Sequence, residues 1–472
     1  MNRGEVPGYE FEVPRGPRHA SGPRHAIGHD PLRPLQRPLP KPAPRSSVLA
    51  GVFTVMRKRN WLMGLAAPIL AAVAVGIAVV VVSGGGGSGA SAPSALAAGY
   101  PPARLAGPSF AGTAGTSRVI LTAIGASQAT EVAAGGVNGG PALWSSSDGG
   151  ATWTRAALTG PASLTRAGTG QLAGVAHGPA GWLAVGTTLA GRGGPLVASS
   201  PDARTWTVTS GIAGNAVAAA VAAGPAGYVI VGRQPAGDSA TAAAWYAAGL
   251  TGWRAATVTT LGQPGAAGDQ AMNAVTVTAR GFVAVGATDT RPAAWVSAAG
   301  RTWQQASVPL PAGAARAALD YVAANGTAVV AAGTQFSVTG ASTPFAEVSA
   351  DAGATWTQVQ LPVPDIGPGT GTTVTALTAA GGGFTAAGTY VTKAGPEVVI
   401  WTLPAGTPVT DGAGWAAATP QGTGLAGTTA ENAITALAAD GVTLTGVGFT
   451  AKLAGSGMPG AQQPTLWQSP IR

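Results

Sequence analysis

One short pattern of serine, aspartate, threonine and tryptophan occurs four times along the chain. Ser146–Trp153 (SSDGGATW) returns almost letter for letter as Ser349–Trp356 (SADAGATW). A copy that is one residue shorter lies at Ser200–Trp206, and a copy without the aspartate lies at Ser297–Trp303. Serine and aspartate side chains accept hydrogen bonds from backbone N–H groups in tight turns, glycine adopts the left-handed conformation, and tryptophan buries a large ring. The pattern therefore predicts equivalent hairpin turns, each leading into a strand that starts at a tryptophan.

A strand-like segment that usually runs from one glycine to another recurs with similar regularity. Seven copies are spaced about 45 to 58 residues apart, a period typical of the blades of a β-propeller. The copies are Thr130–Gly135, Gly181–Gly186, Gly227–Gly232, Gly281–Gly286, Gly326–Gly333, Gly383–Gly388 and Gly441–Gly448.

Each repeat unit has the same order of predicted strands. An alternating strand such as Ile434–Leu437 precedes a tight turn such as Asn325-Gly326, and the glycine-flanked strand follows. A third strand, for example Val398–Trp401, leads through the serine–aspartate turn into a fourth strand. Four strands in each of seven units predict an all-β fold, a seven-bladed β-propeller within residues 103–472.

The last unit stops before its fourth strand. Its third strand, Thr465–Ser469, is followed by only three residues, and the stretch Ala103–Ala111 precedes the first unit without a partner of its own. We expect Ala103–Ala111 to supply the outer strand of the seventh blade, because closing the ring removes sheet edges that would otherwise promote aggregation.

The repeated pattern resembles the Asp-box, S-x-D-x-G-x-T-W, also called the BNR repeat, of sialidase-like β-propellers. The resemblance covers the chain from about residue 115 to its end and is specific in the two full copies. In that family the motif lies at the periphery, away from the active site, so the resemblance implies a structural role for its residues. These residues are Ser146, Asp148, Gly150, Thr152, Trp153, Ser200, Asp202, Thr205, Trp206, Thr302, Trp303, Ser349, Asp351, Gly353, Thr355 and Trp356.

The same resemblance implies what a catalytic member of the family needs. Three arginines clamp the substrate carboxylate, and a tyrosine activated by a glutamate attacks. Neither Arg104-Leu105 nor Arg118-Val119-Ile120 matches the Arg-Ile-Pro motif of the family. No arginine lies between Arg316 and Arg472, and Tyr390 is the only tyrosine among the last 150 residues. We therefore expect a non-catalytic member of the family, with no catalytic residues of the sialidase set.

A divergent enzyme or a glycan-binding lectin is the alternative to this interpretation. A glycoside hydrolase of sialidase type would bring two carboxylates within about 5–10 Å of each other at one mouth of the channel. The candidate carboxylates are Glu131, Asp269, Asp320, Glu347 and Glu397. Positions dispersed around the propeller would argue against hydrolysis.

No cofactor and no metal site are expected. The chain has no cysteine, and His177 is the only histidine beyond residue 60, so neither a metal site built on these residues nor a Ser-His-Asp triad is expected. Gly84–Gly87 lacks the lysine and the following helix that a phosphate-binding loop requires.

Residues 61–83 form an apolar segment without charge. Trp61 to Val82 counts 22 residues, and a helix of this length spans about 33 Å, enough for the hydrocarbon core of a bilayer. Arg57-Lys58-Arg59 precedes the segment, whereas no charge follows it before Arg104, so the N-terminus is predicted to be cytoplasmic and the propeller extracytoplasmic. An uncleaved anchor is favoured, and a signal peptide cleaved near Ala90-Ser91-Ala92 is the alternative.

The basic charge of the chain lies in its N-terminal tail. Residues 1–60 carry eleven Lys and Arg against four acidic residues, whereas residues 61–472 carry fifteen against fourteen. The proline-rich tail is predicted to be disordered, either as a solvated segment that sets topology or as a docking segment for a partner or anionic lipid. The near-neutral remainder argues against nucleic-acid binding.

These features predict a single-pass protein of the cell membrane that presents a binding or scaffold domain outside. Its segments are a disordered tail (1–60), a transmembrane helix (61–83), a linker of glycine, serine and alanine (84–102) and the propeller (103–472). The expected partner is a protein or an envelope glycan at the channel mouth, where the loops between blades converge. The propeller is expected to be a monomer.

Overall fold

The computed structural model describes residues 119–189, 194–212, 214–237, 239–261, 268–363, 371–392, 395–419, 425, 430–453 and 459–471. The predicted tail, transmembrane helix and linker, and the stretch Ala103–Ala111, lie outside these residues. Within the described ranges, no helix combines the length and apolar character needed to span a membrane.

Seven sheets follow one another along the chain as seven blades, which confirms the predicted all-β propeller. Blade 1 consists of β1 (Val119–Ser127), β2 (Thr130–Val137), β3 (Gly140–Ser146) and β4 (Thr154–Arg155). Blade 2 consists of β6 (Gly170–Gly178), β7 (Gly181–Thr188), β8 (Pro195–Ser200) and β9 (Thr205–Thr209), with β5 (Ala157–Thr159) added at its outer edge. Blade 3 consists of β10 (Val217–Gly224), β11 (Gly227–Ala236), β12 (Ser239–Ala247) and β13 (Arg254–Ala255).

The remaining four blades have the same order of strands. Blade 4 consists of β15 (Gln270–Thr278), β16 (Gly281–Thr288), β17 (Arg291–Ser297) and β18 (Thr302–Ala306), with β14 (Thr257–Thr259) added outside. Blade 5 consists of β19 (Arg316–Asn325), β20 (Ala328–Phe336), β21 (Ser342–Ser349) and β22 (Thr357–Val359), and blade 6 of β23 (Thr372–Ala380), β24 (Gly383–Thr392), β25 (Gly395–Leu403) and β26 (Ala416–Ala418). Blade 7 contains β27 (Ala430–Ala439), β28 (Thr443–Leu453) and β29 (Pro459–Pro470). One helical turn, α1 (Ala162–Thr165), and a 3₁₀ turn (Gly412–Gly414) lie in connections.

The first strands of the blades surround a central channel. Each of them contacts the first strand of the next blade, and β27 contacts β1, so the ring of blades is closed. Each first strand carries a β-bulge at the same position. The bulged residues are Thr122, Ala173, Ala219, Asn273, Asp320, Thr375 and Thr435.

Three of these bulged residues link neighbouring blades by hydrogen bonds. Thr435 Oγ1 donates to the carbonyl oxygen of Leu121 at 2.8 Å, and Thr122 Oγ1 donates to that of Leu172 at 2.6 Å. Asn273 Nδ2 donates to the carbonyl oxygen of Leu319 at 3.2 Å. The bulges therefore form a ring of side chains at one level of the channel.

Buried aromatic side chains fill the space between blades. Third strands place a tryptophan against the preceding blade at Trp144, Trp245, Trp295, Trp401 and Trp467, each at most 5% exposed. Blades 2 and 5 differ at this position, which is Ala198 in β8 and Glu347 in β21. This comparison places one of the candidate carboxylates in a position that other blades fill with an aromatic ring.

The outer edges of the blades differ in whether another strand covers them. Short strands that follow blades 1 and 3 pair in parallel with the outer strands of blades 2 and 4, so β5 covers β9 and β14 covers β18. In blade 7 no described strand pairs with the outer edge of β29. The strand predicted for that edge, Ala103–Ala111, lies outside the described residues and stays a prediction.

The two ends of the propeller have different connections. We call the end with the serine–aspartate turns the turn face, and the opposite end the loop face. At the turn face, hairpins of only two or three residues join the first and second strands of every blade. At the loop face, the connections from one blade to the next are seven to fourteen residues long, and the two longest contain β5 and β14. The loop face therefore carries more of the connecting backbone than the turn face does.

Candidate functional site

The two full copies of the serine–aspartate pattern form the same hydrogen-bonded turn. In blade 1, Ser146 Oγ donates to Asp148 Oδ1 at 2.7 Å and accepts from Gly150 N at 2.8 Å. Asp148 Oδ1 accepts from Thr152 N at 2.9 Å, and Trp153 Nε1 donates to the carbonyl oxygen of Gly150 at 2.9 Å. In blade 5 the same bonds join Ser349, Asp351, Gly353, Thr355 and Trp356, with distances of 2.7 to 2.9 Å.

The two shorter copies keep the turn with fewer bonds. In blade 2, Asp202 Oδ1 accepts from Arg204 N at 2.9 Å and from Thr205 N at 3.2 Å, and Trp206 Nε1 donates to the carbonyl oxygen of Ala203. In blade 4 there is no aspartate, but Ser297 Oγ still accepts from Gly300 N at 2.8 Å. Trp303, which follows Thr302 at the start of β18, donates from Nε1 to the carbonyl oxygen of Gly300 at 3.0 Å.

Hydrogen bonding within these turns stabilises the ionised aspartates. The bonds from Thr152 lower the pKa of Asp148, and the backbone bonds from Arg204 and Thr205 lower that of Asp202. The backbone bond from Thr355 is the main reason why the pKa of Asp351 falls to about 2. Because their oxygens bond the turn itself, these aspartates stabilise the local backbone.

Glu131 lies at the junction of the first and last blades. It is 0% exposed at the start of β2, and Thr445 Oγ1 of blade 7 donates to its Oε1 at 2.7 Å. Its Oε2 has no hydrogen-bond partner. Burial is the main reason why the pKa of Glu131 rises to about 7. The bond from Thr445 opposes the rise, and the nearby carboxylates of Asp440 and Asp148 contribute to it.

Glu347 lies between blades 4 and 5 and is also 0% exposed. Neither of its carboxyl oxygens has a hydrogen-bond partner. Burial alone raises the pKa of Glu347 to about 8, so the neutral acid is favoured at neutral pH. Glu131 lies in the second strand of its blade and Glu347 in the third strand of its blade. Both therefore lie outside the channel-lining strands and near the turn face, away from the loop face.

Two candidate carboxylates lie at the loop face, each bound to its own surroundings. Asp269 Oδ1 accepts from Ala240 N at 2.9 Å and lies near Arg233, where burial lowers the pKa of the guanidinium and the charge of Asp269 opposes that shift. Glu397 Oε2 accepts from the hydroxyl of Tyr390, its cross-strand neighbour, at 2.8 Å. Burial and this bond raise the pKa of Tyr390, which is the opposite of what a tyrosine nucleophile requires.

Asp320 is the one candidate carboxylate on the channel wall. It is the bulged residue of β19, half-buried, and Asn273 Nδ2 donates to its Oδ1 at 3.0 Å. Burial raises the pKa of Asp320 to about 6, despite the opposing hydrogen bond. Burial and the charge of Asp320 both raise the pKa of Tyr321, the next residue along the chain.

The five candidate carboxylates lie apart from one another in the structure. They belong to blades 1, 4, 5 and 6 and to different ends of the propeller, and none shares a hydrogen bond with another. No group of three or more His, Asp or Glu side chains that could hold a metal ion occurs in the described part of the chain. The candidate site that the geometry leaves is therefore the loop-face surface around the channel mouth.

Arginines take part in a different arrangement from the one that sialidase-type binding needs. Arg316, at the start of β19, stacks over the ring of Phe336 with its Cζ 4.1 Å from the centroid. At the turn face, Arg301 lies over Tyr246 at 5.6 Å. Sequence reasoning missed the second contact, although the absence of aspartate from the blade 4 turn marks the place where it occurs.

The comparisons with known proteins give a likeness of fold at low identity. No protein-family model and no curated protein matches the chain. The chain is similar to the structure of YCF48 bound to a D1 peptide, with 13% identity and a TM-score of 0.42 over 75% of this chain and 94% of the other. It is similar to a protein from Lactobacillus plantarum, with 11% identity and a TM-score of 0.42 over 75% of this chain and 100% of the other.

A mutant of Trypanosoma rangeli sialidase that displays trans-sialidase activity is also similar. The identity is 12% and the TM-score 0.37, over 74% of this chain and 54% of the sialidase. The chain thus spans about half the length of that protein.

Proposed function

We propose that the chain is a membrane-anchored, extracytoplasmic binding or scaffold protein of the Asp-box type. In this proposal residues 61–83 anchor the chain, residues 84–102 tether the propeller, and the loop face binds a protein or an envelope polymer. The propeller itself carries no catalytic role in this proposal.

The observation that carries the proposal is the contrast between the two faces. Connections between blades at the loop face are seven to fourteen residues long. At the turn face, the hairpins between first and second strands have two or three residues, and the turns between third and fourth strands have four to twelve. Long connections at one end of a rigid scaffold are where binding residues concentrate. Val338, at 88% exposed, lies at the same face in the hairpin between β20 and β21 of blade 5.

The chemistry of the same face favours recognition over hydrolysis. Tyr390 is 5% exposed, and its hydroxyl is bonded to Glu397, so it cannot reach a substrate from its present position. Arg316 is stacked on Phe336, and no second described arginine stands beside it in blades 5 to 7. A clamp of three guanidiniums for a carboxylate is therefore not supported.

Site-specific photo-cross-linking in the native membrane tests this proposal. The full chain would carry the photo-reactive residue at Val338 on the loop face or, as the matched control, at Val442 on the turn face, which is 71% exposed in the β27–β28 hairpin. We expect a reproducible protein or glycan adduct from Val338 and none from Val442, identified by mass spectrometry. Equal adducts from both positions, or none from either, would overturn the proposal.

A glycoside hydrolase is the second candidate, and Asp320 is the observation that favours it. A half-buried carboxyl on the channel wall with a pKa of about 6 suits a general acid. The test is release of the fluorophore from fluorogenic sialosides and neutral glycosides by the full chain, with Asp320→Asn as the variant. Turnover that the variant loses supports hydrolysis, and no turnover by the wild-type chain rules out this activity on the substrates used.

A further inference from the structure

Two arginines are neighbours of one tyrosine, Tyr246, at the turn face between blades 3 and 4. Arg301 lies over the ring of Tyr246, with its Cζ 5.6 Å from the centroid. Arg254 is the direct cross-strand partner of Tyr246 in the β12–β13 ladder. Directly opposed residues of an antiparallel pair project to the same face with Cβ atoms about 5 Å apart. Arg254 is therefore placed beside Tyr246 in the ladder, and Arg301 lies over the ring of the same tyrosine.

The blade 4 turn holds this arrangement in place. Thr257, which follows β13, donates from its backbone N to the carbonyl oxygen of Arg301 at 2.9 Å, so the segment carrying Arg254 is bonded to the segment carrying Arg301. Gly300 packs so closely on Val229 that a Cβ built on it would clash with Cγ1 of that residue, and it would lie in ordinary contact, 3.6 Å, with Cβ of Tyr246. The two arginines thus project from a backbone that is fixed by hydrogen bonds.

No carboxylate among the described residues neutralises this pair. Arg254 and Arg301 are exposed, and neither forms an ion pair with a described carboxylate. The turns of blades 1, 2 and 5 carry Asp148, Asp202 and Asp351, whereas the blade 4 turn has Ala299 at the corresponding position. The matching residue of blade 2, Asp202, lies beside Arg204. Loss of this aspartate leaves two positive charges uncompensated.

We propose that Tyr246, Arg254 and Arg301 form a binding site for a tetrahedral oxyanion, a phosphate or sulfate group. Guanidiniums bind such groups through pairs of parallel hydrogen bonds, and two like charges on one face gain from a bridging anion. The site lies at the turn face and is independent of the function proposed for the loop face. The net charge of residues 61–472 is nearly neutral and does not predict this site, because the two arginines become neighbours only when blades 3 and 4 pack together.

The shape of the blade 4 turn suggests a precise test. Ser200–Trp206 and Ser297–Trp303 have equal length, and the residue after the aspartate position has a positive φ in both, 64° at Ala203 and 76° at Gly300. An Ala299→Asp carboxylate is therefore expected to accept from the backbone N of Arg301 and Thr302, as Asp202 does from Arg204 and Thr205. It would place a negative charge beside Arg301 and leave the fold intact.

The experiment measures the thermal stabilisation of the full detergent-solubilised chain by inorganic pyrophosphate, against sodium chloride at equal ionic strength. An anion that binds only the folded propeller raises its Tm, whereas binding to the basic tail does not. We expect a rise of roughly 1–2 °C for the wild-type chain and for Ala299→Asn, which keeps a turn cap without charge. Ala299→Asp and the pair Arg254→Ala with Arg301→Ala should lose the rise.

A matched pair of exposed arginines serves as the second control. Arg166→Ala with Arg291→Ala removes the same charge away from Tyr246, and this variant should keep the full response. A glycerol phosphate polymer in place of pyrophosphate separates the sources, because a larger rise identifies polymer-borne phosphate and an equal rise identifies the free anion. The same rise in all variants, or none in the wild-type chain, would overturn the proposal.

Discussion

A glutamate is buried at two junctions of the propeller, the one between blades 7 and 1 and the one between blades 4 and 5. The two glutamates differ in their hydrogen bonding. Glu131 accepts a hydrogen bond from Thr445, a residue 314 positions away in sequence, and has two aspartates nearby. Glu347 has no hydrogen-bond partner and occupies a position that is tryptophan in five blades. The first junction is polar and connects distant parts of the chain, whereas the second places an isolated acid among apolar neighbours.

The hydrogen bond that only Glu131 accepts opposes the effect of burial on its carboxyl pKa, whereas nothing opposes burial at Glu347. Glu347 reaches a pKa of about 8 and Glu131 one of about 7, although Asp440 and Asp148 also raise the latter. Both folded-state values lie above the ordinary value of 4.5. The folded chain therefore binds these protons more tightly than the unfolded chain. The associated stability is present in full below about pH 4.5 and is lost as the pH rises through 7 and 8.

The largest expected effect comes from Glu347→Gln. The wild-type propeller should lose about 4 kcal/mol of unfolding free energy between pH 4.5 and 8 through this group, and the variant should not. Urea unfolding of the full chain followed by tryptophan fluorescence across that pH range measures the difference. A variant whose pH dependence equals that of the wild-type chain would show that Glu347 is solvated or paired in solution.

Glu131→Gln should have a smaller effect of the same sign. Removal of this titration should abolish about 3 kcal/mol of pH dependence between pH 4.5 and 7, because the pKa shift is smaller. The amide oxygen can still accept from Thr445, so the junction should keep its contact. The same unfolding experiment measures the effect, and the double variant with Glu347→Gln should be additive because the two sites lie in different junctions.

Alignment of the repeats is sufficient to predict the architecture of the propeller from the sequence. The seven glycine-flanked segments and the serine–aspartate turns correctly predicted the number of blades and the order of their strands, because each rests on local turn chemistry. The same alignment places Glu347 two residues before Ser349, where Trp144 precedes Ser146. That register predicts that Glu347 is buried like the tryptophans at the same position, and it therefore argues against Glu347 as a catalytic group.

Other features depend on contacts between blades and leave no local pattern. The parallel strands β5 and β14 each have three residues and exist only because the neighbouring blade offers an outer edge, with Ala157 N bonded to the carbonyl oxygen of Arg204. The environment of Glu131 likewise depends on Thr445, a residue of the last blade. Periodicity within one repeat cannot predict such pairings.

Thr445→Val sharpens the comparison by making the first junction resemble the second. Loss of the hydroxyl donor should raise the pKa of Glu131 further above about 7 and lower the unfolding free energy at pH 8 by about 1 kcal/mol. The midpoint of the pH dependence of stability should move upward. In the Glu131→Gln background the midpoint should not respond to Thr445→Val, and a shift there would assign the effect to packing.

The smallest effect is expected from Asp440→Asn, which removes a negative charge that disfavours ionised Glu131. Asparagine can still accept from the backbone N of Val442 and Thr443, as Asp440 does at 2.8 and 2.6 Å, so the β27–β28 hairpin should persist. The pKa of Glu131 should fall by a few tenths of a unit, worth about 0.3–0.5 kcal/mol at pH 8. Asp411→Asn is the matched control, because Asp411 also accepts from a backbone N, that of Ala413, but does not contribute to the pKa of Glu131. An equal shift in both variants would mean that net charge, and not the position of Asp440 beside the junction, sets the ionisation of Glu131.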